Sequence, residues 1–169
     1  MVYTSWRIEV GRFSKTTIIE MLQEHAIEMN AYAKRLFEDE RFVTSDDKYC
    51  VVTVERTVAD LRFTEGATLP QIFERAKELG FGLCPLELAP YFRLQYMNQP
   101  EDMDGGLLSQ NKAPTGSITV ASPSLSEEEG FPKGFYLRNI AGVLWLRGYS
   151  ADDQHIWSPS DRFLFTQHC

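Results

Sequence analysis

The spacing of apolar residues changes along this chain: early on they recur every three or four positions, and in the last third they alternate with polar ones. A period near 3.6 puts apolar side chains on one stripe of a helix, and a period of two puts them on one face of a strand. Helices mostly first and strands mostly last is the order of an α+β domain. It is expected here as N-terminal helices packed on a mostly antiparallel sheet of about 5–6 strands. With 169 residues, 43% of them hydrophobic, the chain can fill one core, so residues 1–169 are read as a single domain.

Ser5 to Val10 alternates with Trp6, Ile8 and Val10 on one side, as a half-buried strand does. Ser14 offers an N-cap hydroxyl, and Ile18, Leu22, Ala26, Met29, Ala33 and Leu36 fit one helix from Lys15 to Phe37. A second reading fits equally, with Asn30 capping a separate helix from Ala31. Tyr49 to Val54 is β-branched and reads as a buried strand, with a further strand at Val58 to Phe63. Thr68-Leu-Pro-Gln71 has the spacing of a capping box, with Pro70 in the first turn and Gly80 at the close, so a helix runs from Leu69 to Leu79. It is expected to seal the apolar side of the later strands.

Cys84 to Pro90 is bounded by prolines and allows one helical turn, after which Tyr91 to Met97 alternates like a strand. Asn98 to Thr115 reads as a long loop. The remaining strands are expected at Ser117 to Ala121, Phe135 to Asn139, Val143 to Arg147 and Arg162 to Thr166. An acidic loop, Ser124 to Gly134, and a polar loop, Ser150 to Asp161, separate them.

Several function classes lose ground on composition. A net charge of −7 opposes the counterion release that drives nucleic-acid binding, so nucleic acid is disfavoured as a partner. No apolar run approaches the ~20 residues of a membrane span, and the first residues lack the order of a secretion signal. Cys50, Cys84 and Cys169 are an odd, widely spaced set that suggests neither disulfides nor a metal knuckle, so a reducing cytoplasm is the expected compartment. There is no Gly-x-Ser-x-Gly, and His25, His155 and His168 have no supporting pattern. Asp102 and Asp104 before Gly105-Gly106 lack the rest of a calcium loop, and Lys112 lacks the rest of a P-loop. No catalytic residue, metal ligand or cofactor is therefore assigned.

Thr64 to Gly80, Leu83-Cys-Pro-Leu-Glu87 and Arg93-Leu-Gln-Tyr96 resemble an uncharacterised family of small bacterial proteins, found in reduced-genome lineages and Gram-positive bacteria. The likeness extends more weakly to the Trp6 strand, Asn30 to Phe37 and Trp157 to Phe165, and breaks after Tyr96 where this chain has a longer loop. The resemblance implies a bacterial origin and a shared fold. It implies no activity.

The candidate site is an aromatic and arginine surface. If Asn139 to Gly142 closes a hairpin as a four-residue loop, Tyr136 faces Trp145 with Arg138 and Arg147 on their side. Arg93 and Gln95 would extend that face if their strand is adjacent, giving a platform for stacking or carboxylate pairing. If Gly142 instead takes the left-handed position of a three-residue loop with a bulge, Trp145 enters the core, which is the preferred reading. Trp157 is ambiguous in the same way. The platform suits a non-enzymatic module that binds a protein or peptide by a sheet face or edge among acidic loops. A second reading is a small-molecule-binding protein or hydrolytic enzyme with Glu87, Arg93 and Tyr96 at a mouth between helices and sheet. A third is an acidic inhibitor or antitoxin from a mobile element, with carboxylates spaced like phosphates along one face. Oligomeric state has no signal in the sequence.

Overall fold

Ser5–Val10 forms the first strand, β1, in the computed structural model, which describes residues 4–101 and 116–167. The elements that follow are α1 (Lys15–Glu24), β2 (Glu28–Met29), α2 (Ala31–Glu38), β3 (Tyr49–Thr57), β4 (Ala67–Thr68), α3 (Leu69–Glu78), β5 (Phe81–Gly82) and α4 (Leu88–Gln95). The chain ends with β6 (Ile118–Val120), β7 (Gly134–Ile140), β8 (Val143–Tyr149), β9 (Ile156–Trp157) and β10 (Arg162–Gln167).

One sheet runs in the order β1-β3-β10-β6-β7-β8-β2, with β5 added beside β10, and β4 pairs with β9 in a separate ribbon. The sheet is mixed, because β10 pairs with β6 and β2 with β8 in parallel. The remaining pairs are antiparallel, so the sheet is mostly antiparallel as expected, but it has eight strands and not the expected 5–6. The β10–β6 pair arises because β10 returns from the chain end into the sheet between β3 and β6, and the β2–β8 pair because the short β2 adds to the far edge beside β8.

Strand alternation gives the sheet two apolar faces. Ile8, Ile118, Phe135, Leu137, Leu146 and Leu164 pack against α1, α2 and α4. On the opposite face Val54, Ala121, Tyr149, Phe163 and Phe165 pack with Leu69, Ile72 and Ala76 of α3 and with Trp157. The α3 helix has the expected capping box, Thr68 accepting from Gln71 N–H and the Gln71 side chain accepting from Thr68 N–H. It covers β3, β10 and the Tyr149 end of β8. Phe135, Leu137, Leu144 and Leu146 of β7 and β8 face the other layer, which corrects the expectation that α3 covers the apolar side of those strands.

Two helices occupy residues 15–38. Ser14 caps α1, and the chain reverses through Ala26, whose φ is 55°, before Asn30 caps α2. The Asn30 amide has a second task. Its Oδ1 accepts from Ala33 N–H at 2.9 Å and from Gly148 N–H at 2.8 Å, while its Nδ2 donates to Gly148 O at 3.0 Å. A side chain thus continues the β2–β8 pairing into the helix start. Gly148 is required at the crossing, since a Cβ there would lie 2.7 Å from the backbone of Tyr32 and Ala33. Asn30→Ala loses both the cap and this pairing and is expected to cost about 2 kcal/mol in urea unfolding, with Asn30→Ser recovering about half through the cap alone.

Two further expectations are corrected. Residues Tyr91 to Met97 lie in α4 and its C-terminal turn, because Pro90 falls in the first turn, where it is tolerated, and both Phe92 and the aliphatic stem of Arg93 are buried. Val58 to Phe63 is a 3-10 turn at Ala59–Leu61, with Arg62 left-handed at φ 72°. Reciprocal bonds from Thr57 N–H to Asp60 Oδ2 (2.8 Å) and Asp60 N–H to Thr57 Oγ1 (3.0 Å) end the strand there.

Candidate binding surface

The β7–β8 hairpin turns through two residues, Ala141 and Gly142, at φ 51° and 87°, so Ile140 pairs with Val143. That is the geometry of the tight primed turns that match strand twist. Asn139 holds it by accepting from Gly142 N–H at 3.0 Å and donating to Gln99 O at 2.7 Å. Neither of the two expected registers occurs. Tyr136 pairs with Arg147 and Arg138 with Trp145, two positions away from the four-residue-loop register, and a shift by two preserves the faces. Trp145 therefore lies half-buried on the outer face with Tyr136, Arg138 and Arg147, and the preferred core placement is overturned.

On that face the Arg147 guanidinium sits 4.9 Å from the Trp145 ring centre, and its Nε donates to the Tyr136 hydroxyl at 2.8 Å. Edge contacts carry the aromatic cluster onward: Tyr136 to Tyr149 at 6.4 Å, Tyr149 to Trp157 at 5.6 Å, and Trp157 to Phe163 at 5.0 Å. Trp157 itself is buried, with His155 edge-on against it.

The other sequence candidates are elsewhere. Arg93 is fully buried beneath the hairpin, on the face opposite Trp145. Its Nη1 donates to Gln99 Oε1 at 2.6 Å and to the carbonyls of Trp145 (3.2 Å) and Arg138 (3.3 Å), and Nη2 donates to Tyr96 O. Burial pulls its pKa down to about 10, which leaves it charged at neutral pH. Gln99 Nε2 passes the network on to Gly116 O (2.9 Å) and Leu137 O (3.1 Å). Arg93 thus braces the platform from below and does not extend its surface. Gln95 bonds both backbone groups of Glu9, donating to its carbonyl at 2.8 Å and accepting from its N–H at 3.1 Å, which occupies part of the outer edge of β1. The Tyr96 ring stacks on Phe92 at 5.5 Å and meets Trp6 at 5.3 Å.

Glu87 is buried near Tyr49 and Tyr91 and accepts from Ser45 N–H at 3.0 Å. Desolvation raises its pKa above 4.5, and burial, with Glu87 as a second cause, pushes Tyr49 up to about 12. Of the three residues expected at a mouth, Arg93 and Tyr96 are joined by the guanidinium bond to Tyr96 O, while Glu87 anchors the loop at Ser45. An acid whose pKa is raised by folding favours the folded state most below its unfolded value, and that contribution is lost as pH rises through the folded value. Glu87→Gln keeps an acceptor for Ser45 N–H without the charge. Its urea midpoint relative to wild type is expected to improve between pH 4.5 and pH 7.

Sequence reading missed a groove beside the platform. Leu69, Pro70 and Phe73 of α3 and Ser122 line a cavity of about 370 Å³, and Glu127, Lys133 and Asp153 connect it to a second of about 420 Å³. The acidic and polar loops were visible separately, but no pattern in either shows that they meet.

Among the described residues, no group of three or more His, Cys, Asp or Glu is placed to hold a metal, and no helix is long and apolar enough to cross a membrane. Asp102, Asp104, Gly105, Gly106, Lys112, His168 and Cys169 lie outside the described residues. No family model, curated protein or solved structure matches the chain.

Proposed function

We propose that this chain is a non-enzymatic binding module that takes a protein or peptide segment on the outer face of the β7–β8 hairpin. The observation that carries the reading is the Tyr136–Arg147–Trp145 cluster, half-exposed on a tightly turned hairpin and braced beneath by Arg93. Aromatic and arginine side chains held in place lose little entropy on binding, which is why they dominate the energetics of interfaces. The face is favoured over an edge: Gln95 occupies the Glu9 backbone on β1, and the opposite edge strand, β2, has only two residues. A bacterial, cytoplasmic setting remains part of the proposal, on the resemblance and the cysteine usage.

Peptides selected from a random display library on the wild type should bind Trp145→Ala at least tenfold more weakly, because such anchors contribute about 2 kcal/mol or more. Selected peptides that bind Trp145→Ala and wild type alike would remove the reading.

A further inference from the structure

We infer that the groove beside the first turn of α3 takes an apolar residue flanked by lysine or arginine from the bound peptide, an inference that rests on the platform reading. Leu69, Pro70 and Phe73 make one wall apolar. The adjoining cavity is ringed by five carboxylates, Glu127, Glu128, Glu129, Asp152 and Asp153, against the single ammonium of Lys133. A cation next to an apolar anchor complements both parts, and an acidic segment is repelled.

An independent observation points to an occupant. Ser122 lines the apolar cavity, is 2% exposed, and its hydroxyl has no hydrogen-bond partner among the described residues. The Tyr149 hydroxyl is likewise buried and without a partner among the described residues. The two flank the same glycine, since a Cβ on Gly134 would lie 3.0 Å from Ser122 Oγ and 3.5 Å from Tyr149 Oη. Buried polar groups are nearly always satisfied, and a peptide N–H or carbonyl entering the groove would satisfy Ser122. The groove also continues the platform. Trp145 and Tyr149 share the outer face of β8, and about 13 Å of strand separates them, so an extended segment of roughly five residues reaches from the Trp145 ring to the acidic rim.

The test uses fluorescent N-acetylated peptides of about ten residues, each with an aromatic residue for the platform and, five residues on, Leu-Lys-Lys, Leu-Glu-Glu or Ala-Lys-Lys. Fluorescence anisotropy with the full chain is expected to show Leu-Lys-Lys binding at least tenfold more tightly than either control. A Glu127→Lys/Asp153→Lys double variant, altered only at exposed positions, should lose that preference. Ser122→Ala should weaken binding severalfold without lowering the melting temperature, because no intramolecular bond is lost. If Ser122→Ala lowers the melting temperature instead, an internal water satisfies the hydroxyl and the argument from Ser122 fails. Equal binding of the lysine and glutamate peptides, or an unchanged preference in the double variant, overturns the groove assignment while Trp145→Ala still weakens binding. Loss of the platform reading would show differently, as no effect of Trp145→Ala on any peptide.

Discussion

Replacing Arg93 with leucine is expected to lower folding stability by about 3–5 kcal/mol, measured by urea denaturation at pH 7. The side chain is completely buried, and its guanidinium supplies donors to Gln99 Oε1 and to the carbonyls of Tyr96, Arg138 and Trp145. Two effects compete. Removing a buried cation relieves a desolvation cost, which is what depresses its pKa, and leucine fills part of the volume. Against that, several buried acceptors lose a charged donor at once, each at about 1–3 kcal/mol, and the second effect is larger. Arg93→Lys keeps the charge but reaches fewer of these acceptors, because a point ammonium cannot reproduce the planar fork. The expected order of stability is wild type, then lysine, then leucine. A leucine variant as stable as wild type would mean that the brace under the hairpin contributes nothing.

Phe163→Ala is the second large effect, at about 3–5 kcal/mol. Phe163 is fully buried on β10, with Trp157 edge-on at 5.0 Å and Phe165 stacked at 6.1 Å. It ties the β4–β9 ribbon and α3 to the sheet, so the cavity left by alanine opens inside the layer that forms the groove wall. Phe163→Leu keeps most of the volume and should cost less than half as much, about 1.5 kcal/mol. Calorimetric or urea unfolding that puts the alanine variant within about 1 kcal/mol of wild type would show that the α3 layer is not packed on this face. Because Phe163 lies away from Trp145, the variant that remains folded should bind platform ligands while losing the groove preference.

Local chemistry was legible where it was self-contained. The Thr68-Leu-Pro-Gln71 box and Gly80 specify α3 with no help from the rest of the chain, and the alternation at Ser5 to Val10 and Arg162 to Thr166 gives strands that the sheet uses. Asn30 carried a readable cap, but its bonds to Gly148 span 118 residues and leave no trace in spacing. The α4 segment failed for a physical reason. Phe92, Leu94 and Tyr96 alternate with polar residues as in a strand, yet Arg93, which a strand would put in water, is buried by a network made of distant carbonyls. Thr57 and Asp60 held a local stop signal that the β-branched run before them obscured.

The platform was half legible. Tyr136, Arg138, Trp145 and Arg147 do share a face, because any register slip of two preserves sidedness, but the loop length was misjudged. Gly142 suggested a longer loop with a bulge, whereas the turn places Ala141 at positive φ, held by the Asn139 bond to Gly142. Arg93, Gln95 and Glu87 carry chemistry that looks like a surface in one dimension and serves bracing, edge coverage and loop anchoring in three.

Amide hydrogen exchange, with and without a peptide selected on the wild type, tests most directly whether the hairpin face is where this protein binds. Added protection should concentrate in residues 134–149, with a smaller gain in loops 122–133 and 150–153. Protection confined instead to residues 5–13 and α4 would place binding at the β1 edge and contradict the account.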